Sequence, residues 1–183
     1  MIDLTAQKYG RIDIMFSNAG ILNPDQTVLD IDLLKFDHLI NINMQGMAIC
    51  VKHAAKAMVS CGVRGSIVCT ASAAASIGSE RHVDYTMSKH AVLGLMRSAS
   101  VQLGKYGIRV NCVSPSAVGT PFMCDAYGMD AKGIETRFSS ACSLKGVALN
   151  VKHVADAVSS ESTFVSGHNL AVDGCFRIFA LAL

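Results

Sequence analysis

The sequence contains no tryptophan, only three prolines and 6% aromatic residues among its 183. It has no uninterrupted apolar run of the ~18 residues that a membrane-spanning helix needs. Its first residues, MIDLTAQKYGR, lack the basic-then-apolar pattern of a signal peptide. Charged residues make up 16% and leave a formal net charge of +2 with no basic run, so the chain carries no electrostatic footprint for nucleic acid or an anionic membrane surface. Seven cysteines, odd in number and scattered with no C-x-x-C, argue against a disulfide framework and against a metal site of the zinc type. Repeats, low-complexity tracts and Pro/Gly/Ser linkers are also absent. Residues 1–183, 51% hydrophobic, therefore read as one domain of a reducing, cytoplasmic compartment, able to bury roughly two thirds of its unfolded surface.

What the chain does contain is an alternation of short β-rich runs and helical periods. IDIMFS (Ile12–Ser17) is a compact apolar run ending in NAG, which predicts a buried parallel strand and a turn. The stretch from Asp32 to Gly62 places Met44, Met47, Val51, Ala54, Ala55 and Met58 at helical spacing, which predicts one long helix stopped at Gly62. GSIVCTAS (Gly65–Ser72) and IRVNCVS (Ile108–Ser114, closed by Pro115) predict two more strands, with a second long helix from Tyr85 to Gly104 or Gly107 between them. A loop-rich stretch, a short helix near Val151–Val158 and a strand at Asn169–Val172 complete the pattern. Strands alternating with helices predict an α/β fold with a parallel sheet covered on both faces.

In such sheets ligands bind beyond the carboxyl ends of the strands. Asn18 follows the first predicted strand, Ser72 ends the second, and Ser114–Thr120 follow the third, so these polar features fall on one edge. The same region holds YTMSK, with Tyr85 and Lys89 four residues apart on one helical face. Alone, that pair reads as a partly exposed tyrosine beside a snorkelling lysine, and chance produces one in about one such chain in five. Joined to Ser72 and to Asn43, at the opening of the preceding long helix, it reads as a catalytic set. His82 with Ser72 and Asp84 invites a hydrolase triad, but no G-x-S-x-G elbow exists and the three crowd one segment. His53 and His90 read as helix-surface or core residues, and Met44, Met47 and Met58 as core.

At this point the chain resembles the short-chain dehydrogenase/reductase family. NAG (Asn18–Gly20), NMQG (Asn43–Gly46), GSIVCTAS, YTMSK, VNCVSPSAVGTP (Val110–Pro121) and VSGHNLAVDG (Val165–Gly174) match its motifs in order and at nearly its spacing. SKHAVLGL is similar to plant-type members that oxidise secondary alcohols of terpenoids, lignans or xanthoxin-like compounds. The resemblance implies a Rossmann-like fold and hydride transfer between a small apolar alcohol or ketone and a nicotinamide cofactor, NAD with NADP left open. It assigns Asn43, Ser72, Tyr85 and Lys89 to catalysis. Tyr85 takes the alcohol proton, with its pKa lowered by the Lys89 ammonium; Ser72 holds the substrate oxygen; Asn43 anchors a water leading from Lys89 to solvent. Asn18, Ala19, Gly20, Val118 and Thr120, with Tyr85 and Lys89, are implied to contact the cofactor, and the two long helices to form a homo-oligomer, dimer or tetramer, by close approach at Ala91, Gly94, Ser98 and Ala99.

Three features depart from the family pattern. No G-x-G precedes KYGRIDIMFSNAG, so the leading strands and the glycine loop that holds a pyrophosphate have no counterpart here. That lack predicts weak cofactor binding and an exposed apolar edge on the IDIMFS strand, and it opens an alternative reading as a catalytically silent interaction protein. Ser116 and Cys175 stand where the family usually has Gly. Six residues, Val158–Thr163, join the last helix and strand, fewer than the plant-type pattern has.

Overall fold

The computed structural model describes residues 1–159 and 162–176. Four parallel strands, β1 (Ile14–Ser17), β2 (Ser66–Thr70), β3 (Arg109–Pro115) and β4 (Asn169–Val172), lie side by side in sequence order. Their register is continuous: Phe16 faces Val68, Cys69 faces Cys112, and Pro115 faces Val172. Pro115, expected to close the third strand, is its last residue, where its missing N–H costs least.

One sheet face carries the main core. Residues of β2 and β3 that point to it, Ile67, Cys69, Val110 and Cys112, are buried against two long helices. From α3 (Met47–Ser60) come Met47, Val51, Ala54, Ala55 and Met58; from α4 (Val83–Gly104) come Val92, Leu93, Met96 and Ala99. These spacings of three and four residues put one stripe of each helix on the sheet. The helix α1 (Ile2–Tyr9) packs against α3, adding Ile2 and Ala6 to the rim of the core. On the opposite face α7 (Val151–Val158) packs against β3 and β4. Asn150 caps α7 in a reciprocal box with His153.

Three expectations need correction. The strand β1 is not buried as its apolar run alone predicts: Ile14 is 71% and Phe16 43% exposed, because among the described residues β1 has a neighbour on one side only, which makes it the exposed apolar edge that was also expected. The helix predicted across Asp32–Gly62 is three pieces, α2 (Leu33–Ile40), a π-helical turn (Asn41–Gly46) and α3; Gly62, with φ 64°, follows its end as expected. Asn43 therefore lies inside a π turn rather than at a helix opening. The loop-rich stretch after β3 holds two helices, α5 (Pro121–Tyr127) and α6 (Ala131–Ala141). Pro121 starts α5, Gly128 stops it in the left-handed region, and Asp130 caps α6 by accepting from the Gly133 N–H.

Cys175, in place of the expected Gly, takes φ 56°, a left-handed conformation that disfavours side chains with a Cβ. The Asp173 carboxylate supports that turn by accepting from its N–H at 2.9 Å. Residues 160 and 161 of the short α7–β4 connection lie outside the described residues. Among the described residues, no helix is long and apolar enough to cross a membrane.

Candidate active site

The sheet places its strand ends, and the first turn of α4, on one edge. Tyr85, half-buried, and Lys89, buried, project from that turn on the stripe that continues through Val92 and Met96. Lys89 is almost wholly buried, 3% exposed, and its Nζ lies 5.5 Å from the centre of the Tyr85 ring. The ammonium donates to the Thr70 carbonyl, at the end of β2, at 2.8 Å. Ser72, two residues past β2, caps a short 3-10 turn (Ala73–Ala75) by accepting from the Ala74 N–H, and its hydroxyl is near enough to the Tyr85 phenol to favour the ionised form.

Burial dominates the electrostatics of the pair. Desolvation pushes the Tyr85 phenol up to about 12, against a smaller lowering by Ser72. It also lowers the Lys89 ammonium to about 8, partly countered by the buried sulfurs of Cys112 and Cys69 beneath it. The phenol is thus raised rather than lowered as expected, because burial is the largest effect on it.

Asn43 is fully buried in the π turn. Its Oδ1 accepts from the Ile21 N–H at 2.8 Å, and its Nδ2 donates to the Ile21 carbonyl at 2.9 Å and to the Ser88 hydroxyl at 3.2 Å. This side chain stitches the loop after β1 to α4. π turns concentrate at functional sites, where the extra residue re-aims a side chain. Gly20 suits the same stitch: a Cβ there would come within 3.2 Å of Asn43 Oδ1 and 3.7 Å of Lys89 Nζ.

The remaining expected residues line the same edge. Asn18 and Ala19 are exposed after β1, and Asn18 accepts from the Thr70 hydroxyl at 2.8 Å. Val118 and Thr120 are half-buried after β3, where the Val118 carbonyl accepts from the Thr120 N–H at 2.7 Å ahead of α5. Two aromatic residues of α5, which the sequence reading passed over, close the space above the tyrosine. The Phe122 ring lies 6.3 Å from that of Tyr85, and Tyr127 meets His82 edge-on at 5.8 Å. Proline at N1 and Gly128 at the C-cap are the local signals for this helix.

No hydrolase triad forms. His82 Nδ1 faces the Asn23 carbonyl at 3.1 Å, while Asp84 accepts from Asn23 and from the Tyr85 N–H. Met47 and Met58 are core, whereas Met44 is 39% exposed.

The donor set suits the nicotinamide-ribose end of a dinucleotide. Among the described residues Lys89 Nζ has one hydrogen-bond acceptor, which leaves two buried N–H groups for a vicinal diol. The Gly20 slot lets backbone and ligand approach that ammonium closely.

An α/β sheet with this edge defines the class, an oxidoreductase. The family profile described as enoyl-(acyl carrier protein) reductase matches residues 1–177, and the chain belongs to the short-chain dehydrogenase/reductase family. It is 49% identical over 181 residues to short-chain dehydrogenase reductase 3b of Arabidopsis thaliana, covering 97% of this chain and 70% of that protein. It is 48% identical over 190 residues to the mitochondrial (-)-isopiperitenol/(-)-carveol dehydrogenase of Mentha piperita, covering 100% of this chain and 72% of that one. Among solved structures it is similar to ElxO with NADP bound, with a TM-score of 0.83, 28% identity and coverage of 96% and 71%. It is also similar to an NAD+-bound xylitol dehydrogenase, with a TM-score of 0.81, 27% identity and coverage of 94% and 72%.

Proposed function

We propose that the chain carries the substrate and nicotinamide half of an NAD(P)-dependent dehydrogenase that interconverts a small apolar secondary alcohol, of terpenoid or lignan type, and its ketone. The observation that carries this reading is the meeting of Tyr85, Ser72 and Lys89 at the carboxyl edge of the sheet. Its relative in Mentha supports the terpenoid class, and so does the apolar cover formed by Phe122 and Tyr127.

When bound, the reduced nicotinamide supplies the hydride. The protein's own groups supply the proton and the geometry. Ser72 donates a hydrogen bond to the substrate oxygen and holds it beside Tyr85. Tyr85, kept neutral by burial, gives its hydroxyl proton to that oxygen as the carbonyl carbon becomes an alcohol carbon. Lys89, with its two remaining N–H groups, binds the ribose diol and stabilises the phenolate left behind. Asn43 holds the Gly20–Ile21 loop and, through Ser88, the helix bearing both residues. A phenol held well above neutral pH starts as a proton donor, so the resting protonation suits ketone reduction; alcohol oxidation first requires the phenolate.

Turnover of a cyclic terpenoid ketone with NADH or NADPH, followed at the nicotinamide absorbance, tests the reading. Tyr85→Phe should lower the rate by about 10²- to 10⁴-fold. A Tyr85→Phe protein as active as the wild type would sink it.

We further propose that the chain assembles as a homo-oligomer through the outer face of α4. Met87 (51% exposed) and Val101 (82% exposed) flank the exposed Gly94 and Ser98 there, an apolar stripe interrupted by small residues.

A further inference from the structure

The segment leading into α4 is sewn to the loop after β1. The Gln26 N–H donates to the Arg81 carbonyl at 2.7 Å, and the Val83 N–H donates to the Gln26 carbonyl at 3.0 Å. Asp84 sits at the centre of this seam. It is completely buried, one residue before Tyr85, yet none of the steps above uses it. Its Oδ2 accepts from Asn23 Nδ2 at 2.7 Å and its Oδ1 from the Tyr85 N–H at 2.7 Å. Asn23 Nδ2 also donates to the Lys35 carbonyl of α2 at 3.0 Å.

A buried carboxylate is costly unless its lone pairs are taken up. Here they are taken up by the loop on one side and by the Tyr85 backbone on the other. The position at the first turn of a long helix adds favourable interaction with the helix dipole.

We propose that Asp84 is a positioning residue for Tyr85: through Asn23 it locks the first turn of α4 to the loop after β1 and so keeps the phenol dry and aimed at Ser72. The same seam extends to the cover. His82 Nδ1 faces a carbonyl and so carries the hydrogen, which leaves Nε2 to accept from the Tyr127 hydroxyl at 3.4 Å. The titratable groups that face the phenol are Lys89, on its own helix, and Tyr127, on α5. The inference rests on reading Tyr85 as the acid/base, and its test separates the two.

Ring-labelled tyrosine NMR resolves the four tyrosines, with Tyr85 assigned by Tyr85→Phe. Asn23→Ala keeps the Asp84 charge and removes its tie to the loop, whereas Asp84→Asn removes the charge and leaves an acceptor for only one of the two donors, Asn23 Nδ2 and the Tyr85 N–H. In both folded variants water should reach the ring, and Tyr85 should ionise about one pH unit or more below the wild type. The rate of ketone reduction should fall about tenfold or more at saturation, with KM for the ketone changed less than about twofold. A shift in Asp84→Asn alone would mean a charge effect and overturn the proposal, as would no shift in either. If Asp84→Asn does not fold, Asn23→Ala decides. If the ionisation shifts but no variant, nor the wild type, reduces any ketone, the positioning role stands and the dehydrogenase reading falls.

Discussion

Lys89 is a buried cation whose burial opposes folding, and replacing it should stabilise the protein at neutral pH. Its pKa falls from 10.5 to about 8, chiefly by desolvation. At 1.36 kcal/mol per unit, the charged side chain costs the folded state about 3 kcal/mol wherever both states hold the proton, that is, below pH 8. Between pH 8 and 10.5 the unfolded chain binds more protons than the folded one, so stability rises with pH. Above 10.5 both states are neutral and the penalty is gone. Lys89→Met keeps the length and packing of the stem and removes the charge, but it also removes the hydrogen bond to the Thr70 carbonyl, worth about 1.5–3 kcal/mol. The variant should therefore be more stable than the wild type by up to about 1–2 kcal/mol near neutral pH, and less stable by a similar amount above pH 10.5. Urea unfolding of both proteins across that range measures the difference, and the titration of groups remote from Lys89 cancels in it. A difference that stays constant with pH, or one that favours the wild type most at low pH, would refute the desolvation argument. The variant should also lose ketone reduction, since a stabler protein without the ammonium lacks the group that holds the ribose.

Gly20→Ala places a Cβ 3.2 Å from Asn43 Oδ1, so the Asn43 side chain must shift by a few tenths of an ångström against its bonds to Ile21, at a cost of about 1–3 kcal/mol in unfolding free energy; a variant with wild-type stability and wild-type turnover would show the slot to be slack. Val101→Glu puts a charge in the proposed α4 interface and should convert an oligomer to monomer in light scattering, whereas an unchanged mass would remove α4 from the interface.

The strands and the α4 stripe were legible because each buries a regular set of side chains, and burial is what apolar periodicity records. Helices α5 and α6 were not legible for the same reason: α5 buries no residue and α6 only Ile134, so neither leaves a stripe to find. Their traces are cap signals alone, Pro121, Gly128 and Asp130. The π turn at Asn41–Gly46 leaves no period of its own, since one extra residue is absorbed between two segments that each look helical. The apolar run of β1 predicts a strand correctly but says nothing about whether a second neighbour or a helix covers it. The α4 end of the site was visible as spacing, with Tyr85 and Lys89 one turn apart, whereas the tie from Asn43 to Ile21 spans 22 residues and that from Asn23 to Asp84 spans 61. No local pattern records those.

The charge state of the pair was misjudged for a related reason. A sequence shows which charges can be neighbours, and a lysine one turn from a tyrosine suggests attraction that lowers the phenol. It does not show how much water each loses, and at this site desolvation is the larger effect on both. The two shifts act together. Raising the tyrosine favours phenol over phenolate, so the resting site stores its proton on the oxygen that faces the substrate, while lowering the lysine brings its ammonium nearer to giving up its own proton. A surface pair at the same spacing would hold its proton there too, but its ammonium would be hydrated and unable to strengthen as charge develops on the phenol. Burial costs stability at Lys89 and returns it as a larger electrostatic response at the moment the proton leaves Tyr85.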